Sequence, residues 1–147
     1  MATIERERAA STAPSGSDRG CVVKGTTGYR AEQGSDYHPG VSAESTGATA
    51  LWLGIVTLPP GKRTRAHIHE RHESAFHMLS GEVELWTGDL LQHQEIARPG
   101  DYLFIPMNVP HVAVNRGNVP AVFVGARNEA TAQESVLMRP DLDARVP

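Results

Sequence analysis

The sequence predicts an all-β domain, either a double-sheet jelly roll or a closed barrel, on three observations. From residue 21 onward, short apolar or alternating runs are separated by Gly, Pro, Asn and Asp, the punctuation of many short strands. The turn chemistry between the runs is explicit, at Pro59-Pro60-Gly61, Ser80-Gly81, Gly88-Asp89, Pro99-Gly100-Asp101, Met107-Asn108 and Arg116-Gly117-Asn118. No long helical period competes with this pattern. Around ten short strands in one domain imply two packed sheets or full closure, with an interior wide enough for a ligand.

Residues 1–20 read as a flexible arm, because Ala, Ser, Pro and Gly between charges bury too little apolar surface to offset ordering. Residues 21–147 then form a single domain. Its candidate strands are 21–24, 51–57, 64–69, 74–79, 82–87, 92–97, 102–105, 111–115, 121–126 and 134–137. The segment Asp36-Tyr37-His38-Pro39-Gly40 reads as a loop. Glu82 to Thr87 alternates with a period of two, so one of its faces is buried. Leu51 to Val56 and Tyr102 to Ile105 are apolar on both faces. Something must therefore cover the outside of the sheet, and a dimer partner or the N-terminal arm would serve. Phe76, Met78, Leu85, Trp86, Phe104 and Ile105 are expected in the core, and residues 92–95 on a solvated strand face.

The chain has 147 residues, enough to bury a core without disulfides. Fourteen Lys and Arg against 17 Asp and Glu give a net charge of −3, and the basic residues are scattered. Nucleic acid and anionic membrane are thus not expected partners. Cys21 is the single cysteine, which excludes an intramolecular disulfide and fits a reducing compartment; it is expected to be half-buried. The first twenty residues hold no apolar run, so neither a signal peptide nor a span is read there. A cytoplasmic location is expected.

The chemistry concentrates in residues 61–81, where His67, His69, His72, Glu73 and His77 fall within eleven positions. Residues two apart on a strand share a face, so His67 and His69 can reach one cation. Glu73 follows after three residues, and His111 supplies a further imidazole from a second punctuated stretch, residues 100–115.

These spacings resemble a known family. Gly61, five residues, His67-x-His69, three residues, Glu73 and then Gly81 is similar to the first cupin motif. Gly100, five residues, Pro106-x-Asn108, two residues, His111, three residues and Asn115 is similar to the second, with 18 residues between the two. The likeness covers 61–115 and implies an all-β double-stranded β-helix (jelly-roll) barrel of cupin type. It implies His67, His69, Glu73 and His111 as ligands of one divalent metal ion per chain, with Gly61, Gly81, Gly100 and Pro106 shaping turns. Asn108 stands where the motif has Gly, a position Asn tolerates because it enters the left-handed region more readily than other side chains.

A second departure leaves alternatives open. Seven residues, not six, separate Glu73 from Gly81, so counting back from the glycine puts Ser74 at the acid position. If Ser74 faces inward, Phe76 and Met78 follow and His77 faces out; Glu73 could still reach the ion from the preceding turn. If Glu73 faces inward, His77 enters the pocket. Glu73 is the preferred fourth ligand, with His72 or a site of three imidazoles as the alternatives.

Imidazole with carboxylate suits Fe, Mn, Ni, Co or Zn and leaves positions open for substrate, water or dioxygen. The resembling family includes dioxygenases, isomerases and epimerases, decarboxylases, lyases, polyketide cyclases and non-catalytic binders, and fold does not choose among them. The expected function is metal-dependent chemistry on a small organic substrate, by oxygenation or by isomerisation or cyclisation. The alternative is a non-catalytic small-ligand-binding cupin, for a sugar or carboxylate, in which the metal is structural or only orients the ligand. Tyr37, His38, His72 and His77 are the candidate proton-transfer groups, since isomerisation needs a general base. His93 is expected at the surface. A homodimer is expected from the two-sided apolar strands and from the resemblance.

Overall fold

The computed structural model describes residues 19–25, 27–132 and 134–147. Its strands are β1 (Tyr29–Arg30), β2 (Asp36–Val41), β3 (Trp52–Leu58), β4 (His67–His69), β5 (Ser74–Ser80), β6 (Val83–Thr87), β7 (His93–Ala97), β8 (Tyr102–Ile105), β9 (His111–Val114), β10 (Ala121–Arg127) and β11 (Val136–Met138). A one-turn helix, α1 (Ala43–Thr46), follows β2, and a 3-10 helix, Pro140–Arg145, follows β11. The strands form two antiparallel sheets, one ordered β1-β2-β3-β10-β5-β8 and the other β11-β4-β9-β6-β7. This is the double-stranded β-helix expected.

Strand alternation assigns every side chain to the inner or the outer face. In β5, Ser74 and Met78 are buried and Phe76 lines the interior, so Ser74 sets the register and His77 falls outside. In β6, Val83 and Leu85 face in, while Glu84 and Trp86 face out. Between the sheets Tyr37, Trp52, Val56, Leu58, Met78, Val83 and Phe123 form the main core. The turns close as their chemistry requires: Asn108 sits at φ 61°, and Gly81 at φ 72° has Pro120 O and Ala121 Cα where a Cβ would stand.

Several expectations are corrected. The Asp36–Gly40 stretch is a strand, pairing Tyr37 with Val56 and His38 with Ile55. Pro39 is accommodated because β1 reaches only Asp36 and Tyr37, and the register shifts between Pro39 and Val41. Residues 21–24 form no strand, and Cys21 is exposed. Except for Arg19 and Gly20, the expected arm lies outside the described residues.

The outer faces of the two sheets differ. Behind the second sheet, Ala66, Leu91, Val112 and Val114 are covered by Leu142 and Val146 of the C-terminal segment, and Trp86 packs against them. Neither a partner nor the arm is needed there. On the first sheet Leu53, Leu79, Tyr102 and Phe104 remain 44%, 49%, 80% and 58% exposed. Phe104, expected in the core, is therefore an outer-face residue; its neighbour Ile105 takes the inner position.

Candidate metal centre

β4 is only three residues long, yet it presents two imidazoles. His67 pairs in register with His111 of β9, which puts them directly opposite each other. Their ring centroids are 4.2 Å apart, and the His69 ring lies 4.9 Å from His67 and 5.0 Å from His111. One nitrogen from each lies within 4.8 Å of the others.

The protein fixes which nitrogen each ring offers. His67 Nδ1 lies 2.6 Å from Arg65 O, and His111 Nδ1 lies 2.9 Å from Val109 O. His69 Nδ1 faces Ser135 O at a looser 3.4 Å. A carbonyl oxygen only accepts, so each Nδ1 carries the proton and each Nε2 keeps a lone pair. Burial pushes all three rings below the usual imidazole range, His69 to about 4 and His111 well below it, so they are neutral at physiological pH. Neutral imidazoles with fixed tautomers and converging lone pairs fit a divalent cation.

The interior in front of the rings is a small cavity of about 50 Å³. Phe76, Val83, Leu85, Leu103, Ile105 and Phe123 give it apolar walls; Gln33, Ser35, Tyr37 and Thr64 are its polar members besides the imidazoles. Gln33 Nε2 lies 2.6 Å from Glu134 Oε1 and 2.9 Å from Tyr37 Oη. Both amide hydrogens are thus spent, and Tyr37 accepts one of them, leaving its own O–H to donate. Burial, above all, raises the Tyr37 phenol well above its ordinary value, so it stays protonated.

Glu73, the expected fourth ligand, is not brought to the imidazoles. It is exposed on the turn before β5, where its backbone N–H donates to Asn128 Oδ1. The extra residue before Gly81 gives the inward position to Ser74. His38 faces outward against Gly28, and His77 packs on Tyr102 at 4.5 Å on the outer face, so neither reaches the cavity. His93 is exposed, as expected. His72 is fully buried but lies behind His69, with ring centroids 4.4 Å apart.

A carboxylate does approach the centre, from a part of the chain that motif spacing does not cover. Antiparallel pairing of Val136 with His69 and Met138 with His67 brings the segment before β11 against the back of β4. There Glu134 Oε2 lies 3.7 Å from His69 Nδ1, 3.4 Å from His72 Nε2 and 3.3 Å from Arg127 NH1. His69, His72 and Glu134 form a second close group that shares His69 with the first. Burial alone would raise the Glu134 carboxyl, but His72, His69, Arg127 and Gln33 together draw it down to about 2. Sequence reasoning missed Glu134, Arg127 and Gln33. The available signal was Arg127, which continues the inward alternation of Phe123 and Gly125 and so requires a buried anionic partner.

The match to the cupin domain family spans residues 54–126. Over 92 residues the chain is 30% identical to Protein SchB of Streptomyces halstedii, covering 63% of this chain and 64% of that protein. A Klebsiella pneumoniae protein of unknown function with a double-stranded β-helix domain superposes with a TM-score of 0.59 at 17% identity, over 76% of this chain and 90% of that one. An oxalate decarboxylase of Lactobacillus farciminis, in a formate complex, gives a TM-score of 0.65 at 18% identity, over 83% of this chain and 36% of that one. The chain belongs to the cupin superfamily.

Proposed function

We propose that this cupin is a metal-dependent enzyme acting on a small, largely apolar organic molecule that carries an acceptor oxygen. His67, His69 and His111 would hold one divalent ion per chain. Such an ion would supply a Lewis-acidic or redox-active centre with open coordination positions. The chain's own contribution is to hold three neutral donors, exclude water with Phe76, Leu85, Leu103 and Phe123, and offer the Tyr37 O–H to a substrate oxygen.

One observation favours oxygenation over isomerisation or cyclisation. Besides the three imidazoles, Tyr37 is the one titratable side chain lining the cavity among the described residues, and burial keeps it an acid. Proton abstraction from substrate lacks a side-chain base there. A sugar-binding role is disfavoured by the few polar groups on the walls. Protein purified without chelator should carry close to one equivalent of a transition metal, and H67A and H111A should lose it. Metal-free protein with no better than about millimolar affinity would sink the metal reading. With iron present, dioxygen uptake across a panel of small phenols and enols tests the reaction. Binding without uptake would leave the ligand-binding alternative.

We further propose a homodimer packed through the first sheet's outer face, whose exposed Leu53, Leu79, Tyr102 and Phe104 form one apolar surface.

A further inference from the structure

We propose that Glu134 is a positioning residue for the metal centre, holding His69 from behind and not binding the ion itself. The inference rests on the metal reading above and adds a residue that the motif spacing does not contain. Three observations carry it.

The first is direction. Glu134 faces the Nδ1 side of His69, at 3.7 Å, while Nε2 is the nitrogen left for the cavity. Glu134 also stands outside the close group of His67, His69 and His111 and joins only His69 and His72. An ion on Nε2 draws electron density from the ring and makes the Nδ1 proton more positive. A fixed carboxylate beside that proton then stabilises the liganded ring more than the free one.

The second is how firmly the carboxylate is held. Its Oε2 has Arg127 NH1 at 3.3 Å and His72 Nε2 at 3.4 Å, and its Oε1 accepts from Gln33 at 2.6 Å. Arg127 is pinned in turn over the Trp52 ring at 4.2 Å and donates to Thr131 O at 2.7 Å. With Arg127 this close, the second group is a poor site for a further cation. The third observation is that the same carboxylate fixes Gln33, whose other amide hydrogen goes to Tyr37. One side chain thus sets a ligand and the cavity's hydrogen-bond donor together.

The test is Co(II) binding to the wild-type protein, E134Q and E134D, by calorimetry and visible absorption. E134Q should weaken Co(II) binding by about tenfold or more, the range seen when the outer partner of a ligating histidine is removed. At saturation its visible bands should keep the wild-type intensity, because no ligand has been lost. E134D keeps the charge on a shorter arm and should fall between the two, which also serves if E134Q does not fold. Unchanged affinity in a folded variant overturns the proposal. So does a changed coordination number in saturated E134Q, which would make Glu134 a ligand. Wild-type protein that binds no Co(II) would overturn the metal reading and this proposal with it; wild-type binding with an unaffected variant would overturn this proposal alone.

Discussion

Arg127 ends β10 on the inner face, its side chain 3% exposed, between the Trp52 ring and Glu134. Removing one partner of a buried pair leaves the other charge without compensation, so R127M should cost about 3 kcal/mol in urea unfolding of metal-free protein. R127K keeps the charge but loses the planar fork and the stacking, and should fall between. A loss below roughly 1 kcal/mol for R127M would mean that Glu134 is adequately held by Gln33 and His72. The buried imidazoles make a separate prediction. Their folded pKa values lie below the unfolded value of 6.5, His69 at about 4, so the unfolded chain takes up protons first. The stability these neutral rings contribute to metal-free protein is therefore fully present above pH 6.5 and is lost as pH falls toward 4. Glu134, drawn from 4.5 to about 2, acts in the same direction over the next window down. Urea midpoints measured from pH 8 to 5 should fall below pH 6.5, and a flat profile would contradict burial of neutral rings.

At the scale of elements, the 3-10 helix Pro140–Arg145 packs behind the second sheet, against the strands that carry the candidate ligands. Leu142 is 3% exposed against Ala66 and Val112, each adjacent in sequence to a candidate ligand. Asp143 Oδ1 accepts from Ala66 N at 2.8 Å, and Arg63 NH1 donates to Val146 O at 2.8 Å. L142A should destabilise the protein by about 2–4 kcal/mol in urea unfolding, whereas alanine at the half-exposed Leu137 should cost less than about 1 kcal/mol. Equal effects would show that the helix is only loosely seated. This segment also marks where the sequence became hard to read. Turn glycines made β5 to β10 legible as strands, and period-two alternation gave the faces of β6; β8, apolar on both sides, gave no such sign, and Phe104, expected in the core, lies on the outer face. Six residues of 3-10 helix have no comparable period, and β2 contains Pro39 and Gly40, which locally argue against a strand. The centre divides in the same way: His67, His69 and His111 follow from i, i+2 spacing and motif register. Glu134 is 65 residues beyond His69 in the chain and reaches it only through the pairing of β11 with β4.

For the whole molecule, the outer face of the first sheet is its most exposed apolar surface among the strands. Leu53 on β3, Leu79 on β5 and Tyr102 and Phe104 on β8 face the same way, with Ile55, His77, Val122 and Val124 between them. A contiguous apolar surface of this kind is uncommon on a monomer, and no described segment lies over it. A second copy presenting the same face would bury it by two-fold symmetry, each apolar stripe meeting its equivalent. Sedimentation at micromolar concentration should therefore give a dimer. F104E on the edge strand β8 and L79E on β5 each place a carboxylate within that surface and should shift the protein to monomer. The same substitutions leave the inner face untouched, because Leu103 and Ile105 on β8 and Phe76 and Met78 on β5 are the cavity-side and core residues. Metal content per chain should consequently be unchanged in the monomeric variants. A wild-type monomer, or a dimer that survives both substitutions, would rule this face out as the interface. Loss of metal together with the dimer would instead show that the centre depends on assembly, which the burial of all three imidazoles within one chain argues against.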